Sequence, residues 1–361
     1  MRARARNVRP VLIALATVAA IIAAIALLLL VGGYDVPRSI GALWTGSVGS
    51  WYAFTSATLV RAVPLMLTGC AIAVAFRAGV FNIGAEGQLL AGGAGAAAVA
   101  LMLPQAHGLA AVLALAAGAA AGAGWAGIAA LLRERFGVLE VISTIMLNFV
   151  ALYAVSFLVR GPLQEPTHAY PQSSSIAEAI RLAHIPGAGR LHVGLVIALG
   201  ITLAVGWLLR YAASGFRLTI VGESPTAAAS AGEIDVRRET TLAFVASGAL
   251  AGLAGAIEVL GVTYALYEDL SPGYGYTAIA VALLAGLDPW RVIITALLFA
   301  ALEAGAGAMQ RDAGVPSTLV SVIEALLILG VVAAQAIRVR RTSSATAVDD
   351  TADDVLQERS A

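Results

Sequence analysis

From Val11 to Val31 the chain runs for 21 residues without a charge, and comparable apolar stretches return along most of its 361 residues. A helix of roughly 20 apolar residues crosses a hydrocarbon core, and it satisfies every backbone N–H and C=O within itself where no water can do so. Further runs of this kind fall near 57–76, 87–103, 109–132, 139–159, 191–209, 241–262, 276–287, 292–308 and 318–337. Composition agrees, with 60% hydrophobic and 12% charged residues. A soluble core cannot hide that much apolar surface, because soluble domains run about 45 to 50% apolar and about 25% charged. The expected fold is an all-α polytopic membrane protein of about ten transmembrane helices. The run at 276–287 is too short to cross alone unless broken backbone precedes it near Gly275.

The basic residues orient these spans. The chain contains 22 arginines and no lysine. Its start, MRARARNVRP, places a basic flank before the first run, which is too long for a signal-peptide core and reads as a retained helix over 11–31. With the amino terminus in the cytoplasm, sixteen arginines fall inside and six (Arg38, Arg61, Arg160, Arg181, Arg190 and Arg311) fall outside, as the positive-inside rule requires. Both termini are then cytoplasmic. The absence of lysine excludes a Walker A loop and Schiff-base chemistry, so any ATP must be hydrolysed by another chain. Net charge is zero and points to no nucleic-acid partner. Cys70 is the lone cysteine, which excludes a disulfide framework.

Three connections separate the runs. Residues 32–56 hold Trp44, Trp51 and Tyr52, suited to an interfacial anchor. The external loop 160–190 carries Pro162, Pro166, Pro171 and Pro186 and is expected to be ordered without spanning. The cytoplasmic loop 210–239 contains Ser224-Pro225 before a helix-forming stretch, Thr226 to Ala231, which Gly232 can stop. A permease domain thus occupies 1–341, and the polar, acidic tail at 342–361 reads as disordered.

Two glycine-punctuated breaks interrupt the apolar pattern: FNIGAEGQ at 81–88 and LSPGYGY at 270–276. They begin 189 residues apart and hold equivalent places in two four-helix units, about 57–159 and 241–337, one starting outside and the other inside. Such paired interruptions in an inverted repeat mark a translocation path near the midplane, whereas ordinary inter-helix turns would carry no function. A hydrogen-bond-rich neutral solute needs amides and hydroxyls along that path, which singles out Asn82, Gln88, Asn148 and Tyr274. Glu86 either binds solute or caps the helix starting near Gly87.

Glu258, Glu303 and Glu324 lie within apolar runs of the second unit. They are either satisfied structural carboxylates or a proton relay, and the relay would make the chain a proton-coupled secondary transporter of a small polar solute. Small-residue seams at Gly118–Gly122 and Gly248–Gly252 suit close packing within the subunit. The four histidines show no ligand spacing, no metal or cofactor site emerges, and no nucleophile elbow or H-E-x-x-H motif suggests an enzyme.

The runs FRAGVFNIGAEGQLLAGG (76–93), EVISTIMLNFVALY (140–153), VGESPTAAASAGEIDVRR (221–238), SGALAGLAGAIEVLG (247–261), GYTAIAVALLAGLDP (275–289) and MQRDAGVPSTLVSVIEALLIL (309–329) resemble permease subunits of bacterial ABC importers. The likeness is to the branched-chain amino acid/ribose permease superfamily, and within it to the larger permease of nucleoside (guanosine-type) and simple-sugar uptake systems. It implies that Gly222, Ala227, Ala228, Ala231, Gly232 and Ile234 belong to a coupling helix that docks on an ATPase, and that the FNIGAEGQ break lines the solute path. It also implies a bacterial plasma-membrane location. The partners it implies are a paralogous permease forming a heterodimer, an ATPase with two nucleotide-binding domains, and an extracytoplasmic substrate-binding lipoprotein.

Overall fold

The computed structural model describes residues 23–104, 107–230 and 234–316, together with 318, 319, 321–323, 325, 326 and 329. Residues 11–22 of the first expected helix, Ala231, Gly232, Glu324 and the tail at 342–361 lie outside the described residues. Among the described residues every regular element is helical, and extended backbone is confined to isolated bridges pairing Gln164 with Ser173, Gln172 with Tyr267 and His184 with His192.

In chain order the helices are α1 (23–31), α2 (Val36–Ser47), α3 (Trp51–Ala53), α4 (Val60–Arg77), α5 (Ala85–Met102), α6 (His107–Phe136), α7 (Glu140–Arg160), α8 (Gly194–Tyr211), α9 (Ala213–Glu223), α10 (Pro225–Ser230), α11 (Val236–Glu258), α12 (Tyr274–Leu284) and α13 (Pro289–Ala313). A π-helical turn, Phe54–Leu59, joins α3 to α4, and another, Val259–Thr263, extends α11. Among the described residues six helices are long and apolar enough to cross a membrane. α12 has 11 residues and rises about 16 Å, roughly half a bilayer core, as the shortness of its apolar run predicts.

Two stretches differ from the sequence reading. The 32–56 connection is largely helical: Asp35 accepts the Arg38 N–H at 2.8 Å to open α2, and Ser50 accepts the Ala53 N–H at 3.0 Å to open α3, so the next span begins at Trp51 instead of 57. The 210–239 segment contains α9 in addition to the expected short helix, because an 11-residue helix is too short to register as a span.

The chain divides into two compact units, residues 1–43 with 306–361 and residues 44–305. In the first, Leu29, Ala42, Met309, Val315 and Ile323 form a small apolar core. In the second, α4 is the central element, with fifteen of its 18 residues buried and an apolar surface on every side. α5, α6 and α11 meet at glycines. A Cβ on Gly92 would lie 2.2 Å from Gly252 Cα, and one on Gly122 would lie 2.3 Å from the Gly248 carbonyl oxygen. The two small-residue seams thus pack on one another within the subunit, where backbones approach too closely for any side chain.

Candidate solute path and coupling segment

The two sequence breaks come together in the fold. After α4 the backbone leaves the helix at Ala78 and resumes it at Ala85; within this short irregular stretch Gly79 and Phe81 are exposed, while Val80, Asn82 and Gly84 are buried, with bonds from Asn82 to α11 and from Ile83 to α7. Asn82, fully buried, organises it. Its Nδ2 donates to Gln88 Oε1 and to Ser247 Oγ, each at 2.9 Å, while its Oδ1 accepts from Gln88 Nε2 and the Gly84 N–H, also at 2.9 Å. Asn148 on α7 supplies the next contacts: Oδ1 accepts the Gly87 N–H at 2.8 Å, and Nδ2 donates to the Ile83 carbonyl at 2.9 Å and to Tyr276 Oη at 3.3 Å. Buried amides in a low-dielectric core must be satisfied, and this network satisfies them with side chains from four helices.

Glu86 completes the junction. Its Oε2 accepts the Gly275 N–H at 2.7 Å. The carboxylate therefore caps α12 and not the helix on which it sits, a correction to the expected cap near Gly87. The reason is geometric: the amino terminus of α12, opened by Gly273 at φ 101°, points its free amides at the start of α5. Ser271 Oγ accepts the N–H groups of Gly273 and Tyr274 at 3.1 and 3.0 Å. Gly275 is obligatory, since a Cβ there would lie 2.2 Å from the Glu86 nitrogen.

Asn82, Glu86, Gln88 and Asn148 are thus gathered at one place. Tyr274 is beside them and 5% exposed, with Glu258, Glu303, Arg61 and Glu86 as its charged neighbours. The phenol that reaches Asn148 belongs to Tyr276, which the sequence reading passed over although it lies in the same break. Ser247 was also missed, because a single serine in a run of Ala and Gly carries no signal. Of the three intramembrane glutamates, Glu258 and Glu303 are electrostatic neighbours, and Arg61 and Arg190 face Glu258 as well.

The 210–239 segment abuts the same break. A Cβ on Gly222, near the end of α9, would lie 2.1 Å from the Arg77 carbonyl oxygen at the end of α4. α10 packs on α9 and α11, with Ser224 Oγ accepting the Ala227 N–H at 3.3 Å. Ala228 is fully buried, Ala227 is exposed and Ile234 is half-buried. Ala228 is therefore a seat within the chain, while Ala227 faces outward.

At the other end of the bundle, the 160–190 connection is zipped to the end of α11 and the segment after it. Leu182, Ile176 and Ser173 donate their N–H groups to Leu260, Tyr264 and Leu266 at 2.9, 2.8 and 2.9 Å. Arg160 Nη2 donates to Glu268 Oε2 at 2.7 Å, and Ser156 donates to Oε1. The Arg160 guanidinium, then the Ser156 hydroxyl, holds the Glu268 carboxyl below the usual carboxylate range. Among the described residues no group of three or more His, Cys, Asp or Glu side chains is placed so that it could hold a metal ion.

A family model described as branched-chain amino acid transport system / permease component matches residues 54–332. The guanosine ABC transporter permease protein NupP of Bacillus subtilis (strain 168) is 38% identical over 321 residues, 88% of this chain and 91% of that protein. The glucose ABC transporter permease protein TsgB13 of Haloferax volcanii is 37% identical over 334 residues, 89% of this chain and 85% of that protein. The nucleoside ABC transporter permease protein NupB of Lactococcus lactis subsp. cremoris (strain MG1363) is 32% identical over 313 residues, 84% of this chain and 85% of that protein. No solved structure matches this chain.

Proposed function

The chain belongs to the branched-chain amino acid transport system / permease component family, and from that premise we propose that it moves a nucleoside, or a related ribosyl or simple-sugar solute, into the cytoplasm. It is a multi-pass permease subunit of an ABC importer in the bacterial plasma membrane, a transport component and not an enzyme. The energy comes from a separate ATPase with two nucleotide-binding domains. A paralogous permease completes the path as a heterodimer, and an extracytoplasmic lipoprotein delivers the solute. About ten spans, two inverted four-helix units and cytoplasmic termini complete this reading.

The observation that carries it is the junction of the two breaks, where Glu86 holds the start of α12 while Asn82, Gln88 and Asn148 hold the start of α5. Solute hydroxyls and ring nitrogens exchange bonds with these amides as the junction opens. Discrete networks of this kind have two arrangements and do not deform continuously, which suits alternating access. α10 rests on the ATPase through its exposed Ala227 side. Gly222 passes the movement to Arg77 and so to the break.

Uptake of labelled nucleosides and glucose by the complete importer, with active or hydrolysis-dead ATPase, tests the assignment. The expected result is nucleoside uptake that vanishes with the dead ATPase. Uptake that persists and instead collapses with the proton gradient would transfer the mechanism to Glu258, Glu303 and Glu324.

A further inference from the structure

Two helices of the 44–305 unit end in arginines that make no ion pair among the described residues. Arg77 closes α4 and Arg210 lies in the last turn of α8. With Thr219 of α9 and Asp288 and Trp290 at the α12–α13 turn, they line a cleft of about 260 Å³. Arg133, Arg160, Arg217, Arg237 and Arg291 are each paired with a carboxylate, whereas neither Arg77 nor Arg210 makes an ion pair among the described residues. The acid in the cleft is already engaged: Asp288 Oδ1 accepts the Trp290 N–H at 3.0 Å and Oδ2 lies 3.9 Å from Arg291. Arg210 stands over the Trp290 ring at 5.4 Å from its centroid, and Trp290 is itself fixed by donating to the Leu203 carbonyl at 3.3 Å.

The surroundings set the depth of this cleft in a bilayer. Trp207 and Tyr211 are 58% and 63% exposed, and Tyr211 lies 6.4 Å from both Trp207 and Trp290. Amphipathic rings of this kind collect at the level of lipid headgroups. One to three turns earlier on α8, Val196 and Leu203 are exposed, an apolar track for acyl chains. Guanidinium groups present forked donors that match phosphate oxygens, and basic clefts between membrane helices suit anionic headgroups.

We propose that this cleft binds the phosphate of an anionic phospholipid, with Arg77 and Arg210 as donors and the acyl chains along α8. A free phosphate shares the headgroup chemistry but cannot use the aromatic belt or the apolar track. Because the Arg77 carbonyl is the surface on which Gly222 rests, a bound lipid braces α4 where the coupling segment bears on it.

The full chain, delipidated in a non-ionic detergent, is titrated with phosphatidylglycerol, phosphatidylcholine and inorganic phosphate, and retained ligand is read by native mass spectrometry. The expected result is a saturable phosphatidylglycerol adduct, no retention of phosphatidylcholine, and binding about 30-fold weaker in the Arg77→Gln/Arg210→Gln variant. Arg181→Gln, in the 160–190 connection, leaves the adduct unchanged. Equal retention of phosphatidylcholine by the unaltered chain overturns the proposal without any variant having to fold. Equal affinity in the double variant overturns it as well, and displacement of the lipid by equimolar inorganic phosphate assigns the cleft to a soluble anion instead.

Discussion

Glu86 Oε2 accepts the backbone N–H of Gly275 at 2.7 Å, across 189 residues of chain. The bond places a carboxylate from the first turn of α5 on an amide in the first turn of α12, while the Gly87 amide at the start of α5 is taken by Asn148 of α7. Side-chain acceptors of this kind let irregular backbone persist in an apolar bundle.

Replacing Glu86 by Ala leaves the Gly275 N–H buried without a partner, a loss of about 1–3 kcal/mol. Glu86→Gln keeps an acceptor oxygen and is expected to retain most of the stability. Thermal unfolding of the purified protein ranks the three, and a Gln variant as unstable as the Ala variant would show that the negative charge, and not the acceptor, matters. Gly275→Ala is expected to be the most damaging, because its Cβ would collide with the Glu86 backbone.

Asn82 and Gln88 bond to one another in both directions, so their substitutions should not add. The Asn82→Ala/Gln88→Ala double variant is expected to lose less stability than the sum of the singles, by about 0.5–3 kcal/mol. Uptake and solute affinity measured on the same set test the path: unchanged values in both singles would remove this pair from it.

On α10 the exposed and buried alanines separate by phenotype. A bulky or charged residue at Ala227 is expected to abolish ATPase-driven uptake while membrane levels stay normal. The same change at Ala228, which is fully buried, is expected to lower the amount of folded protein. Quantitative immunoblotting beside uptake distinguishes the two.

Gly222→Val drives side-chain atoms into the Arg77 carbonyl. The expected outcome is an assembled importer that hydrolyses ATP with little transport, read as the ratio of solute moved to ATP consumed. A normal ratio would mean that movement bypasses this contact.

Glu268 provides a pH test. Its carboxyl is held below the ordinary range by Arg160 and then Ser156, so its contribution is present above the unfolded-state value and is lost as pH falls through the folded one. The Glu268→Gln variant should melt below the unaltered protein at pH 7, and the gap should close on acidification below about pH 4. A gap independent of pH would assign the effect to packing.

Much of the architecture was legible because hydrocarbon imposes a simple demand. Apolar runs of span length announced the helices, and those beginning at 57, 109, 139 and 241 were recovered with only their ends shifted. α12 was legible as a helix too short to span. α2 and α9 were not, since short helices outside the core obey local capping, such as Asp35 on Arg38, that an average over apolar residues does not register. The site was half legible. Asn82, Glu86, Gln88 and Asn148 are polar residues at apolar depth, which is conspicuous, while Ser247 and Tyr276 are ordinary until a partner stands opposite them.

Apolar runs of span length were enough to make this chain a helical membrane protein and to show where its backbone breaks, because burying backbone in lipid leaves few alternatives, whereas its likeness to a permease rests on the motifs in between. Which groups the breaks bond to was settled by packing alone. Glu86 could have capped its own helix, but side-chain reach and the approach of α12 gave it to Gly275. Ala228 could have met a partner protein, but packing on α9 and α11 turned it inward. Those outcomes depend on which surfaces come within a few ångströms of each other, a property of the packed chain that no local pattern encodes.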